Sequence, residues 1–213
     1  MRRQERGNRI LALTPIQEEI MFKTYILGNG GFAQEVFEQI FLNEPGKLEF
    51  GGFIIIKKDK AHVINDDGVK LFNYDKQSNF IIGTSNYEWR KIFINHITRF
   101  YEINAVHFPN IQAYNAHLSG TGMQGVGNLF LCYSMMNANT DIGNFNTFNC
   151  YSSIHHDTTV GDNNFFAAYA SAVPNRRIGD NNILQPGEVL YEDMEDNEIL
   201  SSGVVHDGDL LKP

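Results

Sequence analysis

The hydrophobic pattern of the chain changes once, near residue 108. Before that point, short apolar runs alternate with stretches that carry one apolar face per helical turn. A glycine turn, NGG, follows the first apolar run and precedes a helical stretch. The order of strand, turn, helix and strand predicts an α/β unit with a parallel sheet. Buried strands are predicted for TYILG (24–28), FGGFIII (50–56), NFIIG (79–83) and INAVHF (103–108).

Two amphipathic helices are predicted between these strands, over residues 32–42 and 86–97. The apolar face of the first helix is expected to contain Phe32, Val36, Phe37, Ile40 and Phe41. The apolar face of the second is expected to contain Trp89, Ile92, Phe93 and Ile97.

Beyond residue 108 the helical period is replaced by an apolar residue at every sixth position. A longer period of eighteen is superimposed, because IGNFN, VGDNN and IGDNN begin at residues 142, 160 and 178. Three hexapeptides per coil predict a parallel β-helix with these glycine steps stacked at one corner. An antiparallel sheet with regular turns is the alternative, but it does not predict a period of eighteen. The apolar positions are Ile142, Phe148, Ile154, Val160, Phe166, Ala172, Ile178, Leu184 and Leu190.

Composition and charge exclude several classes of protein. The chain has 213 residues, of which 42% are hydrophobic, and a formal net charge of −8. An acidic chain without a basic patch is not expected to bind nucleic acid. Its apolar runs are too short to predict a membrane span. Cys132 and Cys150 form no CxxC motif, so a reducing compartment, the cytoplasm, is expected.

The pattern divides the chain into three segments: an extension at 1–22, the α/β unit at 23–108 and the β-helix at 109–213. The extension contains four arginines, but its apolar stretch ILAL is too short for a signal core. We expect it to lie outside the fold, with Met21 as an alternative start. A short surface helix at 15–21 is the other possibility.

Several stretches resemble one known family. YILGNGGFAQEV, FIIGTSNYEWRKI, NCYSSIHHDTTVGDNN and MEDNEILSSGVV begin at residues 25, 80, 149 and 194. They are similar to motifs of the left-handed β-helix acyltransferase superfamily. The similarity is to the bacterial N-acetyltransferases of nucleotide-activated amino sugars and the related sialic acid O-acetyltransferases. This resemblance implies a Rossmann-like N-terminal domain followed by a left-handed parallel β-helix of hexapeptide repeats.

The resemblance also implies a set of site residues. Asn149, Ser152, Ile154, His156 and Asp157 fall on the family's catalytic-coil pattern. His156 is then the general base, and Asp157 is the acid that raises its basicity. The other implied contacts are Gly30, Gly31 and Asn149 with the nucleotide sugar, and Asn175 and Gly203 with acetyl-CoA; no metal is implied.

The residue types suit this chemistry. An imidazole accepts a proton near neutral pH, and an adjacent carboxylate favours its protonated form. Two alternative interpretations remain for the HHD stretch at residues 155–157. A metal site is disfavoured because His155 and His156 would point to opposite faces of a strand. A polar patch at a subunit contact is the other interpretation of His156.

The glycine turn also has two interpretations. GNGG lets a nucleotide diphosphate approach the backbone, or it is only a tight turn between strand and helix. It is not a full GxGxxG, so a dinucleotide cofactor is not expected. Arg90, in the second helix, is expected to be a solvated surface residue, with a phosphate contact as the alternative.

The chain departs from the family's pattern at four places. Ile55 and Ile56 stand where the family commonly has an acidic pair for ribose and base. Phe32 and Phe165 stand where it often has histidines, and the C-terminal segment is short. These departures leave the His156–Asp157 pair intact but weaken the prediction of uridine-nucleotide specificity and of coenzyme A binding.

Three functions follow as hypotheses. The first is acetyl-CoA-dependent N-acetylation of a nucleotide-linked amino sugar for surface-glycan biosynthesis. The second is O-acetylation of a sialic acid or another glycan sugar. The third is a catalytically silent scaffold in a sugar pathway. A homotrimer is also expected, because residues 128–136 and 163–173 hold more large apolar side chains than the inside of a β-helix can take.

Overall fold

A computed structural model describes residues 22–43, 46–74, 78–99, 107–202 and 204–207. The predicted extension 1–22 lies outside the described residues except for its last position. Most of the predicted strand 103–108 and the candidate ligand contact Gly203 also lie outside them. Within the described ranges, no helix is both long enough and apolar enough to cross a membrane.

The N-terminal unit is a mixed sheet with helices. The strand order is β4-β3-β2-β1-β5; β1 pairs in parallel with β2 and β5, whereas β3 and β4 add antiparallel pairs. The parallel pairing of β1 with β2 and β5 agrees with the predicted parallel sheet for three of its four predicted strands. The hairpin of β3 and β4 was not predicted, because β4 is exposed throughout and offers no apolar run. The elements are β1 Lys23–Leu27, α1 Gly31–Phe37 continuing as a π-helix Glu38–Leu42, β2 Glu49–Lys57, β3 Lys60–Asn65, β4 Gly68–Leu71, β5 Ser78–Ile82 and α2 Tyr87–Thr98.

The buried face of α2 differs from the predicted one. Phe93 and Ile97 are buried as expected, but Trp89 and Ile92 are 44% and 41% exposed. Arg90, expected at the surface, is buried instead. The helix is rotated so that positions 90, 93 and 97 form the inward stripe. A guanidinium is tolerated there because the β-helix supplies acceptors for its N–H groups.

The second half of the chain is a three-sided parallel β-helix. Its neighbouring strands pair in register eighteen residues apart from Gln124 to Leu190, which confirms the predicted coil length. We call the three sides faces A, B and C. Face A holds Ile111–Gln112, Leu129–Phe130, Thr147–Phe148, Phe165–Phe166, Ile183–Leu184 and Glu198–Ser201, which pairs antiparallel with Val204–Asp207. Face B holds His117–Leu118, Met135–Met136, Ser153–Ile154, Ser171–Ala172 and Val189–Leu190; face C holds Asp141–Ile142, Thr159–Val160 and Arg177–Ile178.

A left-handed backbone residue turns the chain at each corner, at every sixth position from Gly127 to Gly187. These corners stack into three edges. Edge AB contains Tyr133, Tyr151, Tyr169 and Gly187. Edge BC contains Asn139, Asp157 and Asn175, and edge CA contains Gly127, Phe145, Asn163 and Asn181. Asparagine and aspartate suit these positions because they adopt left-handed backbone angles more readily than most residues.

Stacked side chains hold successive coils together. Inside, the rings of Phe130 and Phe148 lie 4.8 Å apart, as do those of Phe148 and Phe166. Near edge CA, buried Asn146 accepts a bond from the backbone N–H of Asn164 and donates to the carbonyl of the next glycine step. That step needs glycine, since a Cβ at Gly161 would lie 2.1 Å from Asp180 Oδ1.

The N-terminal unit packs on face A and covers it. Leu129, Leu131 and Phe165 are buried, and they belong to the apolar excess from which the sequence predicted a trimer. Gln39 of the π-helix spans the contact: its Oε1 accepts from Cys132 N and its Nε2 donates to Cys150 Sγ. That part of the trimer argument is therefore wrong, because the chain's own N-terminal unit buries these side chains.

Candidate active site

Edge BC carries the histidine and aspartate singled out from the sequence. His156 Nδ1 lies 2.6 Å from Asp157 Oδ2, and the two side chains are 52% and 47% exposed. Asp157 occupies the left-handed corner, with φ of 57°. The corner geometry turns its carboxylate back towards the preceding residue. The pair is therefore formed within one chain and remains open to solvent.

Asn139 supports this pair from the preceding coil. Its Nδ2 donates to Asp157 Oδ1 over 3.1 Å, so each carboxylate oxygen has one partner. The hydrogen bond from His156, followed by that from Asn139, lowers the pKa of Asp157 below its usual value. Asn139 was not predicted as a site residue, although it stands eighteen residues before Asp157 and the coil period places it next to that carboxylate.

The hydrogen bond to Asp157 also determines which imidazole nitrogen is available. An ionised carboxylate only accepts hydrogen bonds, so His156 Nδ1 must carry a proton. In the neutral imidazole, Nε2 then has the free lone pair. Nε2 is therefore the atom of this pair that can take a proton from a bound substrate.

The flanking residues occupy distinct places. Asn175 lies on edge BC in the following coil, and its backbone N–H donates to the carbonyl of His156 over 3.1 Å. His155 is partly buried and contacts Asn137 at 3.4 Å through Nδ1. Among the described residues, no group of three or more His, Cys, Asp or Glu side chains is arranged to hold a metal.

A cavity of about 610 Å³ opens beside the glycine turn, far from this edge in the fold. A Cβ built on Gly30 or Gly31 would meet nothing within 4 Å, and neither residue has a positive φ. Packing and backbone conformation therefore do not demand glycine at these positions, and the backbone there is open to a ligand. Ile55, Ile56 and Lys57 also line this cavity.

A second cavity of about 310 Å³ lies between the N-terminal unit and face A. Asn149, Ser85, Phe32 and Phe165 line it, and Phe32 and Ser85 also line the first cavity. The rings of Phe32 and Phe165 meet edge to face with centroids 5.3 Å apart. The two positions where the family often has histidine thus touch each other and form one apolar wall.

The candidate residues fall into two separate groups. His156, Asp157 and Asn175 lie on edge BC, whereas Gly30, Gly31 and Asn149 surround the cavities on the face A side. Edge BC is opposite face A in the three-sided coil. With about 3.3 Å per residue and six residues per side, this separation is on the order of 15 Å. One chain alone therefore does not bring the two groups together.

Arg90 holds the N-terminal unit against edge CA. It donates to Phe145 O (2.6 Å), Asn163 Oδ1 (2.9 Å) and Thr147 Oγ1 (3.1 Å), and its guanidinium lies 5.7 Å from the centre of the Phe165 ring. A further bond to Thr84 O anchors it in its own unit. Burial lowers the pKa of Arg90 to about 9, so it keeps its charge at neutral pH. Both interpretations of this residue from sequence, solvated or phosphate-binding, are wrong.

No family model and no curated protein matches the sequence. Among solved structures, this chain is similar to perosamine N-acetyltransferase from Caulobacter crescentus, which was solved in complex with CoA and GDP-perosamine. The TM-score is 0.60 and the sequence identity is 17%, and the similarity covers 86% of this chain and 95% of that one. The acetyltransferase domain of PglB from Neisseria gonorrhoeae has a TM-score of 0.58 and 14% sequence identity. The similarity covers 87% of this chain and 98% of that one.

WeeI from Acinetobacter baumannii gives a TM-score of 0.56 and 15% identity over 86% of this chain and 98% of that one. The three likenesses extend over nearly the full length of each solved chain. At such low sequence identity, these similarities show the fold of the chain but not its activity. The chain has the fold of these acetyltransferase structures, a left-handed β-helix of hexapeptide coils.

Proposed function

We propose that this protein is an acetyl-CoA-dependent N-acetyltransferase of a nucleotide-linked amino sugar, with His156 as the general base. The observation that carries the proposal is the His156–Asp157 pair, hydrogen-bonded at 2.6 Å on an exposed edge of a β-helix. Similar structures contain CoA with GDP-perosamine or acetyl-CoA, which supports the choice of substrates. The open glycine turn, in an N-terminal unit that we take to be Rossmann-like, is the proposed nucleotide site.

The proposed reaction needs one proton acceptor. The amino group of the sugar attacks the thioester carbonyl, and His156 Nε2 takes the proton that the nitrogen loses. Asp157 holds Nδ1–H, keeps the ring oriented and stabilises the imidazolium that forms. Coenzyme A leaves as its thiol after it receives a proton. Aligning the two substrates supplies the rest of the acceleration.

A homotrimer would join the two groups of candidate residues. Edge BC of one chain would face the cavities of a neighbouring chain, which no arrangement within one chain achieves. Closed rotational symmetry gives every subunit the same contact without open-ended assembly. Exposed Tyr133, Tyr151 and Tyr169, stacked with centroids 4.9 Å apart, leave edge AB available for association.

We therefore expect active protein to be trimeric. Light scattering at micromolar concentration should give about three times the chain mass of 24.2 kDa. A mixture of a His156→Ala chain with a chain inactivated at the glycine turn, for example by Gly31→Phe, should recover activity, because some sites would contain both intact halves. A monomeric mass for fully active protein would contradict the shared site.

The Asp157→Asn variant tests the helper role of the carboxylate. Asparagine keeps the left-handed corner, so the fold should not change. We expect a smaller loss of kcat than for His156→Ala, because the amide oxygen can still accept the hydrogen bond from His156 Nδ1 and orient the ring. A loss remains because a neutral amide no longer stabilises the imidazolium that forms during transfer. Steady-state release of coenzyme A measures both variants, and a kcat equal to that of wild type would show that the carboxylate does not assist the base.

One observation favours a second candidate, O-acetylation of a sialic acid or another glycan sugar. Ile55 and Ile56 line the cavity where the family commonly places acids for ribose and base. A panel of amino-sugar nucleotides and free sugars, followed by release of free coenzyme A, separates the two. Turnover with amino-sugar nucleotides alone supports N-acetylation, turnover with free sugars alone supports O-acetylation, and turnover with none overturns both.

A further inference from the structure

Positive charge on the β-helix is concentrated at one place. Between residues 107 and 211 the sequence contains no lysine and only two arginines, Arg176 and Arg177. The same segment contains twelve acidic residues, six of them between 188 and 198, and the whole chain has a net charge of −8. A polyanionic substrate is repelled by such a surface unless a local cation offsets the field. The position of these two arginines therefore indicates where a polyanionic substrate would bind to the β-helix.

Both arginines directly follow the candidate catalytic edge, one coil further on. Arg177 pairs in register with Thr159, two residues after Asp157. The backbone N–H of Arg176 is 3.4 Å from Thr158 Oγ1. Adjacent coils are about 4.8 Å apart, so the arginine backbones lie beside the His156–Asp157 pair.

The two side chains differ in how they are held. Arg176 is 27% exposed; it donates to Pro174 O and Tyr191 O, and its Nη1 is 3.7 Å from Asp193 Oδ1. Arg177 is exposed, and among the described residues its side chain has no hydrogen bond or ion pair. Asp193 Oδ1 accepts instead from the backbone N–H of Arg177. The guanidinium of Arg176 is thus held in one orientation before a ligand binds, and that of Arg177 is exposed and open to a ligand.

The next coil is shorter at this corner. Strands on faces A and B keep an offset of eighteen up to Leu190, but Ile178 pairs with Met194 at an offset of sixteen. The two missing residues shorten the corner at edge BC, directly beyond Asn175. Tyr191, whose carbonyl binds Arg176, has 70% of its surface exposed in this shortened corner. Two guanidinium groups and an exposed aromatic ring suit a nucleoside phosphate.

We infer that Arg176 and Arg177 bind a phosphate or diphosphate group of a nucleotide co-substrate beside His156. This inference rests on the proposed function and adds residues to it. The group belongs either to coenzyme A or to the activated sugar, and both sources share the same chemistry. Arginine forms charge-assisted bonds with phosphate oxygens, frequently in pairs.

The test is calorimetric binding at low salt, without turnover. The probes are CoA, dephospho-CoA, which lacks the 3′-phosphate, and UDP and GDP. Arg177→Gln should weaken binding of at least one probe about 10-fold or more. Arg176→Gln is the second variant, and Lys70→Gln, which removes one exposed positive charge from β4, is the matched control. The affinity of the wild type should fall with added salt more steeply than that of Arg177→Gln.

Each pattern of results has a defined meaning. If only the affinity for CoA falls, the arginines bind the 3′-phosphate. If the affinities for CoA and dephospho-CoA both fall, they bind the diphosphate of coenzyme A. If the affinity for UDP or GDP falls, they bind the sugar nucleotide. If both arginine variants bind every probe within twofold of the wild-type affinity, the inference is overturned. The same holds if Arg177→Gln lowers the mass of the oligomer but leaves the affinities unchanged. Wild type that binds no probe overturns this inference and the proposed function together. Wild type that binds CoA through Arg177 but never transfers acetyl overturns the proposed function alone.

Discussion

The His156→Ala variant is expected to lose about 10²–10⁴ of kcat, the usual cost of removing a general base. Its KM values should change little, because the proposed role of Nε2 is to accept a proton in the transition state. The variant removes the atom that we propose takes the proton from the substrate. Steady-state release of coenzyme A, with the substrate found by the panel, measures it.

Folding should be nearly unaffected by this change. The His156 ring is about half exposed, and its one hydrogen bond is to an exposed carboxylate, a type of pair that contributes little to stability. Urea unfolding should therefore give the wild-type midpoint. This separates loss of chemistry from loss of structure.

His155→Ala is the matched control, since it removes an adjacent imidazole from the same strand. Its contact is with Asn137, away from the carboxylate. We expect kcat within a few-fold of wild type. If His155→Ala is the crippling variant and His156→Ala is active, the register of the catalytic coil is wrong by one residue. If both variants turn over normally, neither histidine is the base.

The Arg90→Ala variant is expected to lower the free energy of unfolding by about 3–5 kcal/mol. The change deletes a fully buried side chain and leaves a cavity between α2 and the β-helix. It also removes the donor from Phe145 O, Asn163 Oδ1 and Thr147 Oγ1, three acceptors that belong to buried residues. Relief of the cost of burying a charge offsets only part of this loss.

The single tryptophan provides the measurement. Trp89 precedes Arg90 in α2, so its fluorescence during urea unfolding reports on the helix that carries the contact. Asn95→Ala, an exposed change in the same helix, should stay within about 0.5 kcal/mol of wild type and serves as the control. A loss under 1 kcal/mol for Arg90→Ala would mean that the docking of the two units does not depend on this guanidinium.

Much of the architecture could be predicted from periodicity because hydrophobic spacing is a local property. A buried residue every six positions forces a three-sided coil, and the glycine steps at 142, 160 and 178 set its length. Within the β-helix, each strand pairs with strands of the coils before and after it, so the position of a pairing partner follows from its separation in the sequence. The His156–Asp157 pair was identified in another way, from the resemblance of the stretch that begins at residue 149 to the family's catalytic coil. Its two residues are adjacent in the sequence, so the contact required no knowledge of distant packing.

The contact between the two units could not be predicted in this way, because it joins residues far apart in the sequence. Arg90 looked like a surface residue until the carbonyl of Phe145 and the side chain of Asn163 were seen to surround its guanidinium. Leu129 and Phe165 looked like a subunit interface until α1 was found to cover face A. Their burial depends on how one unit docks on another, and no periodic signal encodes that docking.

The sequence by itself therefore determined the β-helix, its coil length and the identity of the candidate base. Only the tertiary structure decided that the glycine-turn cavity and His156 lie on opposite sides of the chain, and that Phe32 and Phe165 form one wall. A hexapeptide specifies which side chains point inward, because that depends on the alternation along one strand. It does not specify which outer face is covered, because that depends on the shape and polarity of a second unit.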